Sequence, residues 1–582
     1  MKTREDLARE AGCLDLVVPR PGKDGRVAIG PVAEMPPLAF STASTEVNLT
    51  GGWKSVRPLY QDKPAPCQHG CPAGENIARY LRAAQRGRYE EGWRLIMEDN
   101  PLPSVMGRVC YHPCETACNR GEHDEPVAIH AVERFLGDYG LSHGLTMDAP
   151  ATRRREQIAV VGAGPAGLSA AYHLARRGYP VTVFEALPEP GGILRWGIPP
   201  YRLPRDILRR EIARLEAHGV KICPGLAVGR DIPWKGLEKY QAILVATGLP
   251  RSRRLLDIGN GVEGLHDGLE FLRRVAEGVP SLEVGRRVVI IGGGNVAIDV
   301  ARSALRLGAA HAAVVCVEPF EVMPAHPEEV AAGASEGVEF HCGFAVERPA
   351  VADGRITGLS LRRVRFLGRE PDGAVRFEPV GGSPLVLPVD TVIQTIGQEA
   401  DLGFLPNSLA QTGRLEVDGW GRLRGSRVFA AGDVSSGAAR VVDAIGGGKR
   451  AASGIHRVLN GESLEKSDSA ALAIQIGDVN LLYFPPARQV PVPELPGETR
   501  RHSMAEVIGG WDEGQVWTEA GRCFNCGVCT GCDNCLVFCP DVAIRRNQTP
   551  DTYDVLDQYC KGCGICAREC PRHVITMVAA IP

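Results

Sequence analysis

The alternation of apolar and polar positions divides the chain into stretches of different texture. Residues 1 to about 60 mix Pro, Gly and polar residues with no sustained period, which predicts an extension that wraps a neighbouring domain or a partner. From Cys67 to about Gly140 apolar residues recur at helical spacing in short runs such as "ENIARYLRAAQRGRYEEGWRLIMED", predicting a small helical domain interrupted by cysteines. Past the basic linker "ATRRRE" the texture changes. "QIAVVGAGPAGLSAAYHLARRGYPVTVFEA" reads as strand, glycine turn, helix and strand, a βαβ unit. The unit recurs at "RRVVIIGGGNVAIDVARSALRLGAAHAAVVCVEP", so two nucleotide-binding folds occupy the middle of the chain. Between them "LPRDILRREIARLEAHG" predicts an amphipathic helix with Leu208, Ile212 and Leu215 on one face, Pro204 near its start and Gly219 past its end. A polar, proline-rich connector over roughly 460–510 leads to a cysteine-dense tail.

Composition narrows the class. A chain of 582 residues holds several domains, so one function need not explain every motif. A net charge of −3 with 23% charged residues leaves no basic stripe to track a phosphate backbone, which argues against a nucleic-acid partner. The start "MKTREDLARE" lacks an apolar segment and no later run approaches a spanning helix, so a cytoplasmic protein with no membrane partner is expected. Nineteen cysteines in clustered C-x-x-C spacings point to metal-bound thiolates in a reducing compartment, not to disulfides.

Gly162, Gly164 and Gly167 form G-x-G-x-x-G between a strand and a helix, where bare backbone and the helix N-terminus can hold a pyrophosphate. Glu185 ends the second strand, placed to accept from ribose hydroxyls. In the second unit Gly292, Gly294 and Ala297 give G-x-G-x-x-A, with Asn295 opening the helix. Its second strand ends at Glu318, whose carboxylate accepts from a ribose 2′-OH and repels a 2′-phosphate, so NAD is expected ahead of NADP.

Cys529, Cys532, Cys535 and Cys539-Pro540 match C-x₂-C-x₂-C-x₃-C-P, and Cys560, Cys563, Cys566 and Cys570-Pro571 repeat it. Two [4Fe-4S] clusters are predicted, one on Cys529, Cys532, Cys535 and Cys570, the other on Cys560, Cys563, Cys566 and Cys539. Zinc ribbons pair two C-x₂-C knuckles and do not end in Cys-Pro. Cys523 and Cys526 are left over. Spacing leaves three roles open to them: structural thiols, half of a site completed elsewhere, or rivals for the first cluster.

"PCQHGCPAG" and "GRVCYHPCETAC" add Cys67, Cys71, Cys110, Cys114 and Cys118, followed by "PVAIHAVERF". With the two nucleotide folds and "PGGILRWGIPPYRLPRD" at 190–206, residues 65–460 resemble the family of the glutamate synthase small subunit. That family includes the N-terminal half of dihydropyrimidine dehydrogenase and the large subunit of NADH-dependent ferredoxin:NADP oxidoreductase. The resemblance implies that the first fold binds FAD, with Gly192, Thr247 and Gly248 of "ILVATG", and Gly432 and Asp433 of "VFAAGD", completing its site. It also implies an N-terminal cubane on Cys71, Cys110, Cys114 and Glu133, with Cys67 or Cys118 as the alternative to Glu133. The family's second N-terminal cubane needs a C-x₂-C ahead of Cys67, where this chain has "PLYQDKPAPC". Only Cys67 and Cys118 of that set remain, so one N-terminal cluster is expected and three in all.

The expected class is α/β. It comprises an extension (1–60), a helical iron–sulfur domain (61–150), an FAD domain (151–270 and 385–460) with an NAD(P) domain inserted (271–384), a linker (461–510) and an α+β bacterial ferredoxin-like domain (511–582). Cys223, Cys316 and Cys342 look isolated, which argues against disulfide chemistry. A hydride carrier, a flavin and one-electron clusters on one chain form a converter. The ferredoxin tail further resembles NAD-linked flavoprotein subunits of phenylglyoxylate-type 2-oxoacid oxidoreductases, implying a partner subunit that carries the carbon chemistry. The alternatives are a stand-alone NAD(P)H:acceptor reductase, a glutamate synthase partner, or a nucleotide-binding relay scaffold without turnover.

Overall fold

The computed structural model describes residues 49–256, 262–278, 284–370, 374–409, 413–465 and 472–580, so most of the extension expected over 1–60 lies outside the described residues. The chain divides into two compact units: the chain up to Asp62 with Cys529–Pro582, and Lys63–Val528.

In the smaller unit strand Val56–Tyr60 pairs antiparallel with strand Ile575–Ala579, and Ile544–Arg546 pairs with Tyr553–Val555. Helical turns Asn534–Val537 and Ile565–Arg568 complete it, and Ile544, Tyr553 and Ile575 pack with Cys535 and Cys566 in its core. Residues read as extension thus supply a strand to the ferredoxin-like unit. The boundary expected at 511 falls at 529, because helix Glu513–Arg522 buries Val516, Glu519 and Ala520 in the larger unit.

Along the larger unit come helices α1 (Pro66–Gly70), α2 (Pro113–Thr116) and α3 (Ile129–Ser142). Strand β1 (Ile158–Val161), helix α4 (Pro165–Arg176), β2 (Val181–Phe184), α5 (Arg205–Ala217), β3 (Val220–Cys223) and β4 (Ala242–Val245) follow. Next are β5 (Leu265–Asp267), β6 (Arg287–Ile291), α6 (Asn295–Arg306), β7 (His311–Cys316), β8 (Glu339–Cys342) and β9 (Thr391–Gln394). Strand β10 (Val428–Ala430), helix α7 (Val441–Leu459) and helix α8 (Glu513–Arg522) end the unit. Helix α5 buries Leu208, Ile212 and Leu215 as the spacing predicts, and Glu211 with them.

The first sheet is parallel with order β10-β4-β1-β2-β3, and the second is parallel with order β8-β7-β6-β9-β5. Strand β10 joins the first sheet only after the second sheet is complete in sequence, so the second fold interrupts the first. In each, strand order reverses beside the strand that carries the glycine turn, β1 or β6, and ligands of such sheets lie at that point.

Helix α7 lies against both α4 and the segment after α1. A side chain at Gly448 would collide with the Ala166 carbonyl, and one at Gly446 with the Pro72 carbonyl. Ser169 Oγ donates to the Ile445 carbonyl at 2.8 Å. Gly448→Ala or Gly446→Ala therefore forces these backbones apart. A loss of roughly 1–3 kcal/mol or more is expected, read as a lowered Tm with weakened flavin retention. Gly477→Ala, where a Cβ meets nothing within 4 Å, leaves flavin retention unchanged.

Candidate redox sites

Strand β1 ends in a turn that only glycine permits. Gly162 has φ +105°, and its Cβ would collide with the Ala246 carbonyl on the neighbouring strand's exit. A Cβ at Gly167 would strike the Gly162 carbonyl, while Gly164 heads α4. Gly192 (φ +53°) faces this turn, its Cβ 2.8 Å from Gly164 Cα. Bare backbone surrounds the N-terminus of α4. Glu185, buried at the end of β2, accepts from the Ala163 and Leu187 amides, each at 2.8 Å, and burial raises its pKa. The Thr247 hydroxyl is buried without a partner, beside Gly248 at φ +63°. Gly432 (φ +75°) abuts Ala166, and burial pushes Asp433 up to about 6. An orphaned hydroxyl, a desolvated carboxylate and a cradle that any Cβ would fill suit the ribityl, ribose and pyrophosphate of FAD.

In the second fold Gly292 (φ +124°) approaches Thr395, whose hydroxyl donates to the Ile291 carbonyl at 2.8 Å. Gly294 heads α6, Ala297 is fully buried against the sheet, and the Asn295 carboxamide oxygen accepts from the His326 amide at 2.8 Å. Glu318 is 3% exposed and ion-paired with Arg369. Sequence reading misses Arg369, which stands fifty-one residues downstream on strand Arg355–Arg369. One expectation is corrected here. Cys316 and Cys342 are not isolated: they are register partners on β7 and β8, with sulfurs 3.7 Å apart. Adjacent parallel strands bring residues twenty-six apart side by side, which no local spacing reveals. The pair borders the glycine turn of the second fold, through Gly293, and not that of the first.

The N-terminal cysteines occupy short helices. Cys67 lies in α1 and Cys71 caps it; Cys114 lies in α2; Cys110 follows helix Pro103–Val109; Cys118 follows α2. Their electrostatics sort them into two groups. Burial pushes Cys71 up to about 12, with Glu75 and Glu133 adding to it, and Cys110 and Cys114 are raised by burial with contributions from Cys71 and Glu133. Cys67 is raised by burial and then by Cys523, Cys118 and Cys526. The structure thus brings Glu133 to Cys71, Cys110 and Cys114, and places Cys67 and Cys118 elsewhere.

Glu133 is buried and accepts from Asn100 Nδ2 at 2.8 Å; burial, and then Glu75, raise its pKa. Glu75 is itself pushed to about 8 by burial and by Asp99. The sequence gives no sign of Glu75, which follows Cys71 in an unremarked "PAGEN". Packed thiols and carboxylates that are costly to ionise alone suit a multivalent iron cluster, whose charge compensates them. Beside them Glu115 accepts from the His130 amide and Nδ1, and His112 stacks on His130 with ring centres 3.9 Å apart.

In the smaller unit Cys529, Cys532, Cys535 and Cys570 line one cavity with Tyr60 and Tyr553. Cys539, Cys560, Cys563 and Cys566 line another with Pro58 and Lys561. Burial pushes Cys535 to about 11 and Cys566 to about 12, each with further contributions from thiols of its own cavity. The Ala543 amide donates to Cys539 Sγ at 3.2 Å. Cys532 and Cys563 are exposed, so each cavity opens to the surface. Four thiols around each cavity, one drawn from the opposite run, suit a cubane.

Residues 156–448 match the pyridine nucleotide-disulphide oxidoreductase family, and residues 55–145 match dihydropyrimidine dehydrogenase domain II, 4Fe-4S cluster. The chain is 39% identical over 508 residues to the NADP(+)-dependent formate dehydrogenase subunit beta of Moorella thermoacetica, covering 79% of this chain and 70% of that protein. It is 36% identical over 514 residues to the NADPH-Fe(3+) oxidoreductase subunit beta of Geobacter sulfurreducens, covering 79% and 75%. It is 32% identical over 401 residues to the NAD-dependent dihydropyrimidine dehydrogenase subunit PreT of Escherichia coli, covering 68% and 92%.

The orphaned Thr247 hydroxyl gives a direct test. Thr247→Val keeps the shape and removes a group that has no partner in the protein. FAD affinity should fall about two- to tenfold, the worth of one hydrogen bond, while the stability of the flavin-free protein is unchanged or raised. Fluorescence titration with FAD and thermal unfolding of the apoprotein check the two halves.

Proposed function

This chain belongs to the pyridine nucleotide-disulphide oxidoreductase family, and from that premise we propose that it links NAD to a partner oxidoreductase through FAD and [4Fe-4S] clusters. The partner we propose is a 2-oxoacid oxidoreductase of the phenylglyoxylate type. FAD, when bound, supplies the step between a hydride and single electrons. The chain's residues do the positioning. The glycine turns at Gly162 and Gly292 bring two dinucleotides to the ends of β1 and β6, Glu185 and Glu318 face their riboses, and cysteine thiols hold the clusters. No side-chain acid or nucleophile is needed for the transfer itself.

The observation that carries the reading is α7. It packs on the helix of the FAD turn at Gly448, and at Gly446 it meets the Pro72 carbonyl, next in sequence to Cys71. A flavin site and a cysteine–carboxylate group therefore share one rigid helix. That arrangement supports electron transfer between them over a short path.

A second reading follows from the relatives' names, which speak of formate and ferric iron and of NADP(H). On that reading the chain serves such a partner and uses NADPH. Against NADPH stands Glu318, and the segment Val317–Pro324 offers a 2′-phosphate no Lys or Arg. Co-purification from the native source decides the partner.

Glu318→Ser removes the repulsion of a 2′-phosphate and releases Arg369 to meet it. The ratio of kcat/KM for NADH over NADPH should drop by about ten- to a hundredfold. A wild type that already prefers NADPH overturns the NAD reading. Cys563→Ser should leave NADH oxidation by an artificial dye intact and abolish electron exchange with the partner while the two still associate. Normal exchange by that variant would make the ferredoxin-like unit a docking element only.

A further inference from the structure

Cys523 and Cys526, with no role in the spacing of the ferredoxin runs, end up beside the N-terminal cysteines. The Lys63 amide donates to the Gly527 carbonyl at 2.9 Å, four residues before Cys67. Gly527 has φ +72°, and a Cβ there would collide with the Lys63 carbonyl, so glycine is what lets the two segments meet. On the other side Asn119 Nδ2 donates to Cys526 Sγ at 3.5 Å and to the Ile474 carbonyl at 3.2 Å. Arg120, next in sequence, donates to the Arg522 carbonyl and lies 5.0 Å over the Phe524 ring. The segment that carries Cys523 and Cys526 is thus fastened both to the approach to Cys67 and to the residues that follow Cys118.

From this convergence we propose that Cys67, Cys118, Cys523 and Cys526 hold a further [4Fe-4S] cluster, a fourth for the chain. It rests on reading the chain as a cluster-bearing electron carrier and adds a site to it. The C-x₂-C that is missing ahead of Cys67 comes from the far end of the larger unit instead. Cys67 and Cys526 are buried, and Phe524 and Asn525 close the site at 2% and 3% exposure. The Asn525 amide donates to Cys523 Sγ at 3.3 Å, so with Asn119 two N–H groups point at its sulfurs, as around protein-held clusters. Cys67 and Cys526 belong to one buried core, and Cys118 and Cys523 pack against that core.

Spacing favours a cubane over a single zinc ion. Tetrahedral thiolates at about 2.3 Å from zinc put their sulfurs about 3.8 Å apart. Among the described residues the one group of three metal-binding donor atoms lying within 4.8 Å of one another is His112, Glu115 and His130, so no three cysteine sulfurs are that close. The site also has a neighbour to exchange electrons with. Cys67 and Cys71 are one turn apart, the Cys71 amide donating to the Cys67 carbonyl at 3.0 Å, so this group adjoins Cys71, Cys110 and Cys114. One electron enters from that neighbour and one leaves, with no net chemistry at the site.

The test uses the full-length protein, purified without oxygen and loaded with FAD and clusters. Iron and acid-labile sulfide should each reach about sixteen per chain, the content of four cubanes, with Mössbauer spectra of [4Fe-4S] type throughout. Cys523→Ser and Cys67→Ser should each remove about four iron atoms and keep FAD, and the double variant should lose the same four. Wild type at about twelve, one zinc per chain, or a double variant that loses about eight would overturn the site. The wild-type count stands even if a variant does not accumulate. Cys563→Ser separates this inference from the wider reading: wild type at about twelve with four lost in Cys563→Ser sinks only the fourth cluster, whereas no loss in Cys563→Ser sinks the cluster-carrier reading itself.

Discussion

The close approach of α7 to its two neighbours is the constraint on which the larger unit depends. Gly446 and Gly448 remove the side chains that would hold the helix off, and the backbones of Pro72 and Ala166 occupy that space. A helix with ordinary side chains there would stand further from both, since helices normally pack 8–10 Å apart. One small-residue face therefore sets the distance between the turn that cradles a pyrophosphate and the loop that follows Cys71. Glycine in a helix costs up to about 1 kcal/mol each relative to alanine, so this proximity is obtained at the expense of the helix's own stability.

A second constraint is charge without water. Glu75, Glu133, Cys71, Cys110 and Cys114 are packed where ionisation is costly, and all but Cys114 raise the pKa of at least one of the others. Hydrogen bonds from Asn100 offset part of that cost at the two carboxylates. The rest calls for a bound cation or for protons. The second fold answers the same problem differently. Glu318 is buried beside Arg369, and the sheet that carries Arg369 doubles as a charge partner for the nucleotide site.

What could be read from the sequence is what is local in it. A βαβ turn needs its glycines, helix and terminal acid within about thirty residues, so both nucleotide folds are legible, as is the interruption of one by the other once "VFAAGD" is recognised. The ferredoxin runs carry their spacing in two short stretches and are equally plain. The rest depends on segments meeting across the fold. Strand Val56–Tyr60 finds its partner more than five hundred residues away, Arg369 reaches Glu318 from another sheet, and Cys316 meets Cys342 across parallel strands. Cys523 and Cys526 have no informative neighbours in sequence. Only the fold gives them Asn119 and Lys63.

The hydrogen bonds from Lys63 to Gly527 and from Arg120 to Arg522 also impose an order of events during synthesis. The helical region leaves the ribosome before the segment that finishes it, which emerges about four hundred residues later, a delay of about 20–80 s at ordinary elongation rates. Through that interval Cys67 and Cys118 lack the segment fastened beside them and are open to oxidants and stray metal ions. Nascent chains of this protein should therefore depend on a chaperone or a reducing pool until that segment is made.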